Sequence, residues 1–161
     1  MSTLVGDRLP DDLFDALSGR DLASVGDRVV VVSTVDDRGY PHAALLSYFE
    51  IVALDRRTIR LAMYAESRTT GNARREGKTT LVFVDTGFVY YVKGAVRQLD
   101  SAMRVTPYNA KLDLQVLEVL RDAPDPVREP GAHIASGIRY FNPGRAAELE
   151  RAERVIAELR A

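Results

Sequence analysis

The period of the apolar positions changes several times along the 161-residue chain, and each change predicts an element. Leu9, Leu13, Phe14 and Leu17 follow helical spacing around Pro10 and stop at Gly19, which predicts a short amphipathic helix. "RVVVVSTV" (28–35) is β-branched almost throughout and runs into "DDRG", a hairpin-type turn. "PHAALLSYFEIVAL" (41–54) predicts one long second strand, and "TIRLAMY" (58–64) a third. "SRTTGNARREG" (67–77) predicts a helix of two to three turns stopped by Gly77. "KTTLVFVD" (78–85) and "FVYYVKGAVRQL" (88–99) follow as strands joined at Thr86-Gly87. "AKLDLQVLEVL" (110–120) begins with strict alternation and predicts a sixth strand, a helix being the alternative. Three prolines make "DAPDPVREPGAH" (122–133) a loop. The chain ends in a helix over about 143–160, with Asn142 as cap, Pro143 at its first position, and Leu149, Ala152, Ile156 and Leu159 on one stripe.

Six antiparallel strands with short turns and few helices define a mainly β chain closing into a small barrel over about 27–120, one domain spanning 1–161. The strand at 88–92 carries Phe88, Tyr90 and Val92 on one face and Val89 and Tyr91 on the other. A small barrel has a single interior, so the second face needs a cover. The C-terminal helix and a second copy of the chain are both expected to supply it, which predicts a homodimer.

An apolar fraction of 46% and a charged fraction of 28% fit a soluble globular domain. The net charge of −1 gives no global pull toward nucleic acid or anionic lipid. The absence of cysteine removes thiolate catalysis and zinc–thiolate sites and fits a cytoplasmic protein. The acidic, proline-containing start is unlike a signal peptide, and no segment approaches the ~20 apolar residues of a membrane span.

Within 67–77, Ser67 suits the N-cap, but Arg68 directly inside opposes the helix dipole. Free N–H groups, the hydroxyls of Ser67, Thr69 and Thr70, the Asn72 amide and the Arg68 guanidinium together suit a phosphate. An ordinary serine cap beside a solvated arginine is the competing explanation. The two histidines, His42 and His133, lack metal-ligand spacing, and neither a G-x-S-x-G nor a G-x-G-x-x-G motif occurs. Asp11, Asp12, Asp36, Asp37, Asp113 and Glu118 fall in turns or on expected solvent faces without pairing for acid–base work.

The order of strands around "DDRGYPHAALLSYF", "TIRLAMY", "ESRTTGNARREGKTTLVFVD" and "FVYYVKGAVR" resembles the pyridoxamine 5'-phosphate oxidase-like, FMN-binding split β-barrel family over about 27–99. The resemblance implies a dimer with flavin at the subunit interface. A Ser-Arg-Lys triplet holds the phosphate in such proteins; here it stands as Ser67, Arg68 and Thr69, followed by Asn72. The ring is implied along His42, Ala44, Leu45 and Ser47, opposite Met63 and Tyr64, in an apolar slot with a few polar contacts. Tyr90 or Tyr91 would cover it from the partner. An arginine common on that strand falls at Ala44, and the family's Arg-Leu substrate signature has no match, since "SGIRYFNPGR" offers only Arg139 in other surroundings. The resemblance therefore implies an FMN-dependent oxidoreductase acting on a small organic molecule other than pyridoxamine phosphate. A deazaflavin reductase using Arg74, Arg75 and Lys78 for an acidic tail is one alternative. A haem- or flavin-binding protein without turnover, with His42 available to haem, is the other. Substrate contacts are expected from 100–109 and 122–137.

Overall fold

A computed structural model describes residues 1–161. Eight strands form one curled antiparallel sheet: β1 (Ser2–Gly6), β2 (Val29–Val35), β3 (Pro41–Ser47), β4 (Ile51–Ala53), β5 (Thr58–Tyr64), β6 (Lys78–Asp85), β7 (Phe88–Asp100) and β8 (Asn109–Asp122). The spatial order is β3-β2-β6-β7-β8-β5-β4, with β1 paired to the far end of β8. Four α-helices flank it: α1 (Asp11–Ala16), α2 (Leu22–Val25), α3 (Arg68–Glu76) and α4 (Leu149–Arg160). This is the mainly β half-barrel with flanking helices that the alternation predicts. No helix is long and apolar enough to cross a membrane.

The strand count is eight rather than six, for two local reasons. β1 lies outside the expected elements; Leu4 and Val5 stay exposed, so no half-buried alternation marks it. The stretch 41–54 is broken in the middle. Ser47 accepts a hydrogen bond from Phe49 N–H while Glu50 accepts one from Ser47 N–H, a capping box that turns Tyr48–Glu50 into one turn of 3₁₀ helix. The alternation at 110–120 belongs to a strand, β8, and not to a helix.

The helices also differ at their ends. The N-terminal segment forms α1 and a separate turn, α2, while Leu9, Leu13 and Leu17 enter the core as their spacing predicts. α4 begins at Leu149, after a 3₁₀ turn over Arg145–Glu148. Asn142 caps neither the 3₁₀ turn, whose N-cap is Gly144, nor α4, whose N-cap is Glu148; its side-chain oxygen accepts from Gly144 N–H at 2.9 Å just before them. α3 is as predicted, with Ser67 as N-cap and Gly77 left-handed at φ +63°.

The core lies between the concave face of the sheet and helices α1, α2 and α4, with Phe83, Leu61, Leu112 and Leu114 fully buried. α4 docks its C-terminal end on two cations of the sheet. Arg60 Nη1 donates to Leu159 O at 2.9 Å, and the buried Lys111 Nζ donates to Glu158 O at 2.8 Å. Asp113, expected on a solvent face, is 1% exposed beneath this dock and receives Arg60 Nε at 2.8 Å. Its cross-strand neighbour Arg60 supplies the partner that lets this carboxylate be buried as an ion pair.

α4 therefore seals the open side of the half-barrel near β4 and β5 and leaves the convex face bare. Leu45, Val31, Val82, Tyr91, Leu120 and Leu4 stand side by side there, each directly paired to the next, across β3, β2, β6, β7, β8 and β1. Leu45 and Leu4 are 59% and 68% exposed, and the four between them are half-buried.

A strap without regular structure (123–144) returns from β8 to α4. It is pinned where Arg139 Nη2 meets Asp85 Oδ1 at 3.1 Å, while Arg28 Nη1 meets the other oxygen at 2.8 Å. Tyr140 N–H donates to Asp27 O at 2.8 Å beside this pair.

Candidate functional site

β3 is an edge strand, and its open side runs between two depressions. Asp36 N–H donates to Tyr40 O and Tyr48 N–H donates to Arg28 O, so the even-numbered residues His42, Ala44 and Leu46 are the ones bonded to β2. The N–H and C=O groups of Ala43 and Leu45 consequently point to the free edge. The Ser47 N–H is taken by Glu50. From His42 to Ser47 the strip is about 17 Å long at ordinary strand rise.

At the His42 end lies a polar recess of about 520 Å³, lined by Asp36, Asp37, Arg38, His42, Arg68, Gly71, Asn72 and Arg75. The first turn of α3 forms one wall. Ser67 Oγ accepts from Thr70 N–H at 3.1 Å, which leaves the N–H groups of Arg68 and Thr69 without intrahelical acceptors. Arg68 is exposed and enters no ion pair. Above the helix at Gly71 the space is open, and a methyl group added there would meet nothing within 4 Å. Asp36 sits across the recess, held below its ordinary value chiefly by the N–H of Tyr40.

The polar residues expected at a phosphate divide into two groups. Arg68 and Asn72 line the recess, and His42, which the resemblance implies along the ring, lies there with them. Thr69 and Thr70 face inward at 4% and 0% exposure, and Thr70 Oγ1 donates to Tyr64 O at 2.8 Å. Ser67 is committed as a cap. The Asn72 amide is also committed: Nδ2 donates to Thr34 Oγ1 at 3.2 Å, and Oδ1 accepts from Arg75 Nη2 at 3.2 Å. Arg75 additionally donates to Val35 O, and Arg74 to Gln98. The two arginines considered for an acidic tail thus brace α3 against its neighbours.

At the Ser47 end lies a second cavity, of about 370 Å³. Leu45, Ser47 and Tyr64, three of the residues implied along a ring, line it. Ala44 is half-buried on the inner face with its backbone groups spent on β2, and Met63 is a core residue at 6% exposure. Tyr90 and Tyr91 are occupied elsewhere, their hydroxyls donating to Asp12 and Asp122.

Much of this cavity comes from residues that no motif singles out. Phe49 and Glu50 come from the 3₁₀ turn after β3, Tyr108 from the turn before β8 and Asn109 from its first position, Tyr140 from the strap, Arg145 and Glu148 from the 3₁₀ turn before α4, and Arg151 from α4. Burial pushes the Glu50 carboxyl up, against the pull of the Ser47 N–H and of Arg145. Glu148 is held by Arg145 at 2.9 Å and Arg151 at 3.2 Å. The S-x-x-E spacing of Ser47 and Glu50 is a readable signal for the turn; nothing in sequence marks the tyrosines, which converge from distant segments.

These features define a small split-barrel protein with an anion-compatible helix tip beside an open strand edge. The chain belongs to the pyridoxamine 5'-phosphate oxidase family, whose sequence model matches residues 23–129. It is 28% identical over 152 residues to the uncharacterised protein YclD of Bacillus subtilis, covering 94% of this chain and 96% of that one. Among solved structures, it is similar to a protein of Lactobacillus delbrueckii provisionally assigned as a pyridoxamine 5'-phosphate oxidase, with a TM-score of 0.59 and 19% identity over 74% of this chain and 98% of that one. An FMN-binding protein of Syntrophomonas wolfei is also similar, with a TM-score of 0.51 and 16% identity over 69% of this chain and 88% of that one.

Proposed function

We propose that this protein is a homodimeric FMN-dependent oxidoreductase acting on a small organic molecule. The observation that carries the reading is Arg68: an exposed guanidinium without a partner, at a helix tip whose first N–H groups are free, facing a recess that also holds His42 and Arg38. Both the dipole and the side chain favour an anion there, and a phosphate monoester satisfies both at once. The residues present fit the cofactor at the other end as well. The free N–H and C=O groups of Ala43 and Leu45 match the donor and acceptor edge of a flavin pyrimidine ring, and the Leu45 side chain and Tyr64 supply apolar surface.

Bound flavin would supply hydride and electron transfer. The chain's own part is to hold the phosphate through Arg68 and the α3 N–H groups, to orient the ring along the β3 edge, and to exclude water beside Leu45 and Tyr64. The bare apolar row on the convex face supports a dimer, because Leu45 belongs both to that row and to the edge strip. A second subunit on this face would enclose the ring.

The family membership and the FMN-binding relative in Syntrophomonas support flavin as the occupant. Absorbance of the purified protein with and without FMN tests the reading. Two flavin bands that co-elute with the protein support it; a Soret band would assign the site to haem, with His42 as the nearest imidazole.

A further inference from the structure

The cavity at the Ser47 end has a chemical character of its own. Its volume of about 370 Å³ suits a small molecule. Tyr64 and Tyr108 lie in tilted contact with ring centroids 5.5 Å apart, and Tyr140 faces from the strap; all three remain about half exposed or more. Such rings favour flat ligands and, through their faces, cations.

The polar groups favour the same ligand. Arg145 and Arg151 are both committed to Glu148, and the Arg145 guanidinium lies between the rings of Phe49 at 4.8 Å and Tyr140 at 5.7 Å. Its Nε–H, which lies in the guanidinium plane and not against the stacked faces, is buried without an acceptor. Two acceptors remain. Asn109, 1% exposed, spends its amide N–H on Thr106 and leaves Oδ1 unpartnered. Glu50 accepts only the Ser47 N–H and has no cation within 4.0 Å, although burial disfavours its charge. A buried polar group without a partner costs about 1–3 kcal/mol; a ligand rich in N–H groups gains at both Asn109 Oδ1 and the Glu50 carboxyl, whereas an acceptor-rich one meets the single buried donor Arg145 Nε.

We propose that this cavity binds a small aromatic cation, an aryl amidinium or a ring-protonated amino-heterocycle, with Glu50 as counter-ion, Asn109 Oδ1 as second acceptor and the tyrosines as its walls. Leu45 and Tyr64 border the edge strip as well, so on the flavin reading, on which this part alone rests, the bound cation is the substrate.

Calorimetric titration of the FMN-free protein with benzamidine, benzamide and benzoate tests the site. The three probes share a ring and differ in charge and donors. Benzamidine is expected to bind at least tenfold tighter than benzamide, with benzoate weakest. Glu50→Gln retains the capping pattern of the turn; it is expected to remove at least tenfold of benzamidine affinity and to leave benzamide unchanged. Tyr108→Leu, at a half-exposed ring, should weaken both. Benzoate binding as tightly as benzamidine, no binding of any probe at millimolar concentration, or an unaltered benzamidine affinity in Glu50→Gln each overturns the proposal. A parallel FMN titration keeps the two readings apart: failure there removes the flavin, while the probe titrations alone decide the cavity.

Discussion

Asn72 Nδ2 donates to Thr34 Oγ1 across 3.2 Å, and this buried contact fastens α3 to the end of β2. It takes from the recess a side chain whose position in sequence suits a phosphate, and it makes Arg68 the free group of that helix face. Asn72→Ala is therefore expected to act on stability: it removes the donor to Thr34 Oγ1, which keeps only its own bond to His42 O at 3.4 Å, together with one Arg75 contact, and costs about 1 kcal/mol. Chemical denaturation measures this directly. The FMN affinity of the folded variant should change less than that of Arg68→Ala.

Asp113 holds the floor on which α4 docks. Burial alone would raise its pKa, but the hydrogen bonds from Arg60, Gln115 and Arg97 hold it below the ordinary value. Asp113→Asn leaves the Arg60 guanidinium short of its counter-ion and should cost about 3 kcal/mol near neutral pH. A carboxylate with a lowered folded pKa stabilises fully above its unfolded value, about 3.9, and the contribution is lost as pH falls through the folded one. The stability gap between wild type and Asp113→Asn should accordingly narrow below about pH 4. A gap independent of pH would contradict the ion pair.

Glu50 has the opposite sign. Its folded pKa is raised, so its contribution is full below the unfolded glutamate value and declines as pH rises through the folded one. Glu50→Gln, which keeps the turn, should lose less stability than wild type between about pH 4.3 and neutrality, as thermal melts across that range would show.

How far these groups are legible in sequence depends on how local their partners are. Ser67, Gly77 and the β6–β7 hairpin can be read directly because their signals lie within one turn of chain. The break at Ser47 is equally local, but the apolar run on both sides conceals it. Asp113 is misread as a solvent residue because its burial depends on Arg60, 53 residues away. The chemistry of Thr69, Thr70 and Asn72 suits a phosphate, yet helix phase decides which of them look outward. The second cavity draws on the 3₁₀ turn, β8, the strap and α4 together, a convergence that no spacing rule encodes.

Gly94 tests the packing of the long strands. A methyl group there would stand 2.5 Å from Leu114 Cδ2 and 2.7 Å from Gln115 O, at the bulge where β7 shifts register against β8. Gly94→Ala is expected to cost about 1–3 kcal/mol, measured by denaturant midpoint.

The apolar row on the convex face makes the proposed dimer testable without touching the recess. Val82 points outward in the middle of the row, between Val31 and Tyr91. Val82→Lys should give a folded monomer by sedimentation, with weaker FMN binding, since the ring would lose the cover of the second subunit. A dimer that persists unchanged would place the interface elsewhere.

Equilibrium titration of FMN into wild type and Arg68→Ala tests the central claim most directly. A charge-assisted hydrogen bond to phosphate is worth about 1.5–3 kcal/mol, so Arg68→Ala should weaken FMN about 10- to 100-fold while its melting curve stays close to wild type. Equal affinities, or a wild-type protein that does not bind FMN, would contradict the assignment of the α3 tip as the phosphate site.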